Sequence, residues 1–107
     1  ENLNLLKEEF SDNLKFLSQI FGDLGLLNRM LGNFDTALEF YSKQEKICIE
    51  NNERKDLLTA LGNMGIIYTT KGNYTIALSY LQRALKISED IDDKGEIFWQ
   101  YWKNSKS

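Results

Sequence analysis

The sequence predicts an all-α fold in which antiparallel helix hairpins stack side by side, with about five helices in total. Three observations predict it. A segment of the sequence returns after forty residues, and a period of this length is typical of stacked structural repeats. The 107 residues include no proline, which permits long helices. Apolar residues recur at steps of three or four, the spacing of an amphipathic helix.

The forty-residue repeat is clearest among glycine, alanine and asparagine residues. Identical residues at this spacing are Gly22/Gly62, Gly25/Gly65, Gly32/Gly72, Asn33/Asn73, Ala37/Ala77, Leu38/Leu78, Lys46/Lys86 and Ile47/Ile87. We therefore divide this single domain into a helical extension (1–14), two repeats (15–53 and 54–93) and a capping or partial-repeat helix (94–107). The chain opens at Glu1 rather than Met, so we expect it to be part of a longer protein.

The first helical stretch is unusually long. Its apolar positions are Leu3, Leu6, Phe10, Leu14, Leu17, Phe21, Leu24, Leu27 and Leu31. This pattern fits either one helix or two helices joined end to end. Because Ser11-Asp12-Asn13 contains residues that cap helix starts, we favour a break there.

The later helices are delimited by glycine and asparagine. Gly32-Asn33 and Gly72-Asn73 each end a helix, since both residue types tolerate a left-handed backbone. We expect helices at 34–50, at about 55–70, from 74 to about 88 or 90, and at 96–103, with an acidic turn at 90–93. In the fourth of these five helices, the residues expected to face inward are Ala77, Leu78, Leu81, Ala84, Leu85 and Ile87.

Two glycines lie in the middle of predicted helices, where glycine costs about 1 kcal/mol relative to alanine. They are Gly25 and Gly65. Close approach of a paired helix explains them best, and we expect Ala37 and Ala77 to be the small residues opposite.

These residues resemble the tetratricopeptide repeat. The second repeat supplies Leu61, Met64-Gly65, Tyr68, Gly72-Asn73-Tyr74, Ala77, Leu81 and Ala84. The first supplies Phe21, Leu24-Gly25, Gly32-Asn33-Phe34, Ala37 and Tyr41, and departs from the pattern at Asn28 and Gln44. A period of forty resembles the longer variety found in G-protein-regulator adaptors, kinesin light chains and bacterial peptide-sensing regulators. The resemblance implies a short right-handed α-solenoid that binds other proteins.

Composition weighs against several kinds of function. The chain has no histidine, a net charge of −3 and scattered basic residues, so we expect no catalysis, cofactor, metal or nucleic acid. It has no apolar run long enough for a membrane span. Its single cysteine, Cys48, is compatible with a reducing compartment, and we expect a cytoplasmic protein with Cys48 as a packing residue.

The first helix of each hairpin should line the concave face of such a stack, and there we expect a protein or peptide ligand. The alternative is that these residues are only solvated. The candidate binding residues are Gln19, Asp23, Leu26, Arg29, Met30, Thr59, Asn63, Ile66, Thr69 and Thr70.

The resemblance also bears on partners. Family members that grip chaperone tails use Lys and Asn where this chain has Gly22 and Leu26, so we expect no such tail to bind. Two repeats are few for a stable stack, so we expect a homodimer, with Trp99 and Trp102 as candidates for self-association or capping. Two alternatives stay open: a sensory segment of a signalling protein, and a non-catalytic regulatory part of an enzyme such as a kinase.

Overall fold

Four α-helices make up the part of the chain that the computed structural model describes, which is residues 2 to 91. They are α1 (Asn2–Met30), α2 (Phe34–Glu50), α3 (Arg54–Thr70) and α4 (Tyr74–Ile91). The sequence predicts about five helices, and the fifth, at 96–103 with Trp99 and Trp102, lies outside the described residues. The predicted bounds of α2 and the ends of α1 and α3 are confirmed, whereas α4 continues into the predicted acidic turn.

The predicted break in the first helix is wrong, because α1 is continuous over 29 residues. Ser11 does not cap a helix start. Its hydroxyl donates to Oδ1 of Asn51 at 2.9 Å, and Nδ2 of Asn51 donates to the carbonyl oxygen of Ser11 at 3.1 Å. This pair of hydrogen bonds joins the middle of α1 to the turn between α2 and α3.

The three connecting turns have the same hydrogen-bonding pattern. The N–H of Gly32 donates to the carbonyl of Arg29, and the N–H of Asn33 donates to the carbonyl of Asn28 at 2.8 Å. The turns after α2 and α3 repeat these bonds, which are those of a Schellman motif. The motif needs a left-handed residue, and Gly32 (φ 82°), Asn52 (φ 57°) and Gly72 (φ 83°) provide it.

Such short turns make successive helices antiparallel, so α1 pairs with α2 and α3 pairs with α4. The two hairpins meet where α2 packs on α3, and α1 also approaches α3. The core therefore lies mainly between α2 and α3. Its buried members are Ala37, Tyr41, Cys48, Leu57, Ala60, Leu61, Met64, Ile67 and Ala84.

Within each hairpin the mid-helix glycines permit a close approach of the paired helix, and the predicted alanine lies opposite Gly65 but not opposite Gly25. A Cβ on Gly25 would lie 2.7 Å from the ring of Tyr41, so an aromatic ring occupies this space rather than Ala37. A Cβ on Gly65 would lie 3.0 Å from Leu81, with the Ala77 carbonyl oxygen 3.6 Å away. A buried aromatic ring therefore crosses Gly25, whereas the partly exposed Leu81 side chain and the Ala77 backbone lie beside Gly65.

Three of the residues expected to face inward on α4 are exposed instead. Leu78, Leu81 and Leu85 are 56%, 44% and 61% exposed, whereas Ala77 and Ala84 are buried. On α1 the apolar positions Leu6, Phe10 and several others are also exposed. The reason is position in the stack: in the described part of the chain, α1 and α4 are the outer helices, and each has one flank without a neighbouring helix.

Candidate functional site

A pocket of about 190 Å³ opens between α1 and α3, on the face where these helices lie side by side. Most of the lining residues on α1 and α3 are three or four positions apart in the sequence. Such spacing places their side chains on one face of each helix. The lining consists of Gln19, Gly22, Asp23 and Leu26 from α1, Gln44 from α2, and Asp56, Thr59 and Asn63 from α3.

Half of the residues predicted to bind a partner line this pocket. They are Gln19, Asp23, Leu26, Thr59 and Asn63. Each comes from the first helix of its hairpin, as the sequence analysis expects.

The other five predicted residues lie elsewhere. Met30 and Ile66 are exposed beyond the pocket, at 75% and 46%. The hydroxyls of Thr69 and Thr70 donate to backbone carbonyls one turn earlier in α3, at 2.8 and 3.0 Å. Arg29 is half-buried, and its charge acts on Tyr41 of the paired helix: burial raises the pKa of that phenol, and Arg29 opposes the rise only in part.

Gln44 forms part of the pocket although it belongs to α2, which the sequence analysis did not place on this face. It reaches the pocket because Gly22 has no side chain: a Cβ there would lie 2.5 Å from Nε2 of Gln44. The glutamine is only 4% exposed, and its Oε1 accepts no hydrogen bond from any described residue. One feature of the sequence does single out Gln44: the family pattern has alanine at this position, and this chain departs from it.

Asp56 is a second pocket residue that is absent from the predicted set, although its spacing from Thr59 and Asn63 places it on the same helix face. It precedes Thr59 by three residues and Asn63 by seven, so the three share one face of α3. Its place in the first turn suits a carboxylate, because the N-terminal end of a helix carries partial positive charge. Oδ2 of Asp56 is nevertheless buried without a hydrogen-bond donor in the described part of the chain.

The lining is therefore negative and rich in hydrogen-bond acceptors. Asp23 and Asp56 are its two carboxylates, and no lysine or arginine is among the described residues that line it. Within residues 2 to 91, no three acidic or cysteine side chains are close enough together to hold a metal ion. None of the described helices is long and apolar enough to span a bilayer.

Comparison with known families decides to which family the chain belongs. A family model described as tetratricopeptide repeat matches residues 3–90. The chain belongs to the tetratricopeptide repeat family. No curated protein and no solved structure gives a significant match.

The tetratricopeptide repeat generally mediates interactions between proteins, and its members are typically non-catalytic scaffolds. In this tetratricopeptide repeat chain, the corresponding turns after α1 and α3 recur at the forty-residue spacing of the sequence. The first hairpin departs from the family pattern at Gln44, and that departure places an amide in the pocket.

Proposed function

We propose that this chain is a protein-interaction module that binds a peptide segment of a partner protein along the concave face of α1 and α3, without catalysing a reaction. The pocket between these helices carries the proposal. It combines polar groups with the apolar side chain of Leu26, which is 39% exposed.

This combination suits a peptide, which presents both backbone amides and side chains. The amide of Asn63 has donors and an acceptor for a peptide backbone. Leu26 and Ile66 are exposed apolar positions at which a ligand side chain would lose contact with water. Because the pocket residues stand on packed helices, little ordering entropy opposes binding.

The test is a selection of random dodecapeptides displayed on phage against the purified chain, followed by calorimetry with synthetic versions of the selected peptides. We expect Asn63→Ala to weaken binding by about tenfold, since it removes hydrogen bonds at the centre of the face. Gln82→Ala on α4 is the matched control, because it truncates an exposed amide outside the pocket.

The proposal fails if the selection yields no binder. It also fails if every selected peptide binds Asn63→Ala as tightly as the unmodified chain.

A chaperone tail that ends in a free carboxylate should not bind this face. Gly22 and Leu26 offer no charge to the carboxylate, and Asp23 and Asp56 would repel it. Calorimetry with an acidic peptide that ends in a free carboxylate should show no heat of binding at about 100 µM peptide. Micromolar affinity would contradict this expectation.

We also propose that the chain forms a two-fold homodimer. Tyr74, Leu78, Leu81 and Leu85 follow one another at steps of four, three and four, so they form an apolar stripe along α4. All four are exposed. Leu81 packs partly against Gly65 of α3, but within residues 2 to 91 no helix covers the rest of the stripe, and a second copy would remove it from water.

A further inference from the structure

We infer that the pocket between α1 and α3 is a specificity site for a basic side chain, so that a peptide bound on the concave face would place an arginine or a lysine in it. The inference rests on the proposed function, and it adds the chemistry of the residue that the pocket selects.

Charge is the first reason. Asp23 and Asp56 approach the pocket from opposite helices, and the described lining has no basic residue to neutralise them. Both carboxylates would attract a cation bound in the pocket. A hydrogen bond from a cation to a carboxylate is roughly twice as strong as one between neutral groups.

The second reason is independent of charge and comes from Gln44. Its side chain is almost wholly buried, and Oε1 has no donor among the described residues. A buried acceptor without a partner destabilises the folded chain, and a ligand that donates a hydrogen bond to it removes that penalty. Asp56 lines the same pocket, and its buried Oδ2 also lacks a donor within residues 2 to 91. Two unsatisfied acceptors call for a ligand group with several donors.

Arginine and lysine side chains meet all these requirements. A guanidinium has five N–H donors and an ammonium has three, and neither can accept a hydrogen bond. Each has an aliphatic stem that favours apolar contact, and Leu26 supplies an apolar wall beside the carboxylates. A neutral polar side chain would leave the charge uncompensated, and an acidic one would add to it.

The experiment uses the peptides from the dodecapeptide selection and compares each with a near-isosteric neutral analogue. Citrulline replaces arginine and norleucine replaces lysine, and calorimetry gives both affinities. We expect the peptides to share a basic residue at one position, and its neutral analogue to bind at least about tenfold more weakly.

The double variant Asp23→Asn/Asp56→Asn should bind the basic peptide and its neutral analogue within about twofold of each other. Glu39→Gln/Glu50→Gln on α2 is the matched control, because it removes the same charge from exposed positions away from the pocket. It should keep the full preference. Thermal melting by circular dichroism confirms that each variant is folded.

The outcomes separate the two proposals. If the peptides bind through Asn63 but share no basic residue, or if the charge-neutralised pocket keeps the preference, the inference is wrong and the proposed function stands. If no peptide depends on the concave face, both are wrong. If the α2 control loses the preference for the basic peptide as fully as the pocket variant does, attraction to the net negative charge of the chain explains the preference. The inference is then wrong.

Discussion

At the residue scale, three helical glycines have different surroundings, although two of them, Gly25 and Gly65, occupy equivalent positions of the repeat. A Cβ on Gly25 would meet the Tyr41 ring at 2.7 to 2.9 Å. A Cβ on Gly65 would lie 3.0 Å from Leu81, a side chain that is partly exposed and free to rotate. A Cβ on Gly62 would meet nothing within 4 Å. The same residue type therefore has three different roles.

The effects of alanine substitutions on the free energy of unfolding should follow these differences. Gly62→Ala should stabilise the chain by about 1 kcal/mol, the difference in helix propensity. Gly25→Ala should destabilise it by about 1–3 kcal/mol, because the fully buried Tyr41 ring cannot move aside. Gly65→Ala should have an effect between these two, because the Leu81 side chain can move aside. Urea unfolding followed by circular dichroism measures all three, and a destabilised Gly62→Ala would show that the order is wrong.

Cys48 is a packing residue, as the sequence analysis expects, and it is fully buried. Burial is the largest cause that raises the pKa of its thiol from its ordinary value of 9.0 to about 11, and nearby Asp56 and Glu53 add to the rise. We expect Ellman's reagent at pH 8 to react at least about tenfold more slowly with the folded chain than with the chain in urea, because only the thiolate attacks. Equal rates would contradict this.

The same shift links Cys48 to stability. The folded pKa lies above the unfolded one, so the folded state binds more protons between pH 9.0 and about 11. The stabilisation is complete below pH 9 and is lost as the pH rises through about 11. The stability difference between the unmodified chain and Cys48→Ala should change in that direction over this range. A difference that is constant with pH would count against the shift.

At the element scale, the three turns are built alike but from different residues. Two have glycine in the left-handed position, and the turn after α2 has Asn52 at φ 57°. Asparagine tolerates this conformation better than most residues but at some cost, because its Cβ crowds the backbone. The sequence identifies the glycine turns directly, whereas Asn51-Asn52 shows only that a loop is present.

Exchanging these residues tests the role of the turns. Asn52→Gly should stabilise the chain by about 0.5 kcal/mol, and Gly72→Asn should destabilise it by a similar amount. Thermal melting of both variants gives the comparison. Asn73→Gly is the control, since Asn73 follows the left-handed residue, and it should not stabilise the chain. A stabilising Gly72→Asn would exclude this account of the turns.

The continuity of α1 shows where local sequence signals fail. Ser11-Asp12-Asn13 is a good helix start in isolation, yet these residues continue the helix. Ser11 instead bonds to Asn51, forty residues away along the chain. A local pattern cannot indicate a partner at that distance, so only the packed hairpins reveal what Ser11 does.

At the scale of the whole molecule, the two hairpins share one core but have apolar flanks. Ion pairs join them at the surface, from Lys71 to Asp35 at 2.8 Å and from Arg83 to Glu45 at 2.7 Å. Such exposed pairs contribute at most about 1 kcal/mol each, so the hydrophobic contact of α2 with α3 is the main link between the hairpins. The apolar stripe on α4 is exposed. Its burial by a partner would therefore contribute more free energy than these surface ion pairs do.

We expect light scattering after size-exclusion chromatography to give twice the 12.5 kDa mass of the chain. Leu85→Glu should convert the dimer to a monomer, because it places a charge in the stripe. Glu39→Gln on α2, outside the stripe, is the control. A 12.5 kDa monomer at millimolar concentration would contradict the proposed dimer.

The sequence by itself determined α2, α3 and most of α4, the two glycine turns and the family, because these depend on residue type and on spacing along the chain. It also placed five of the pocket residues on one face through helical periodicity. Only the tertiary structure decided that Tyr41 crosses Gly25, that Gln44 reaches the pocket past Gly22, and that the leucines of α4 are exposed. These features depend on which helix lies beside which, and the distance between side chains on different helices is not contained in any local pattern.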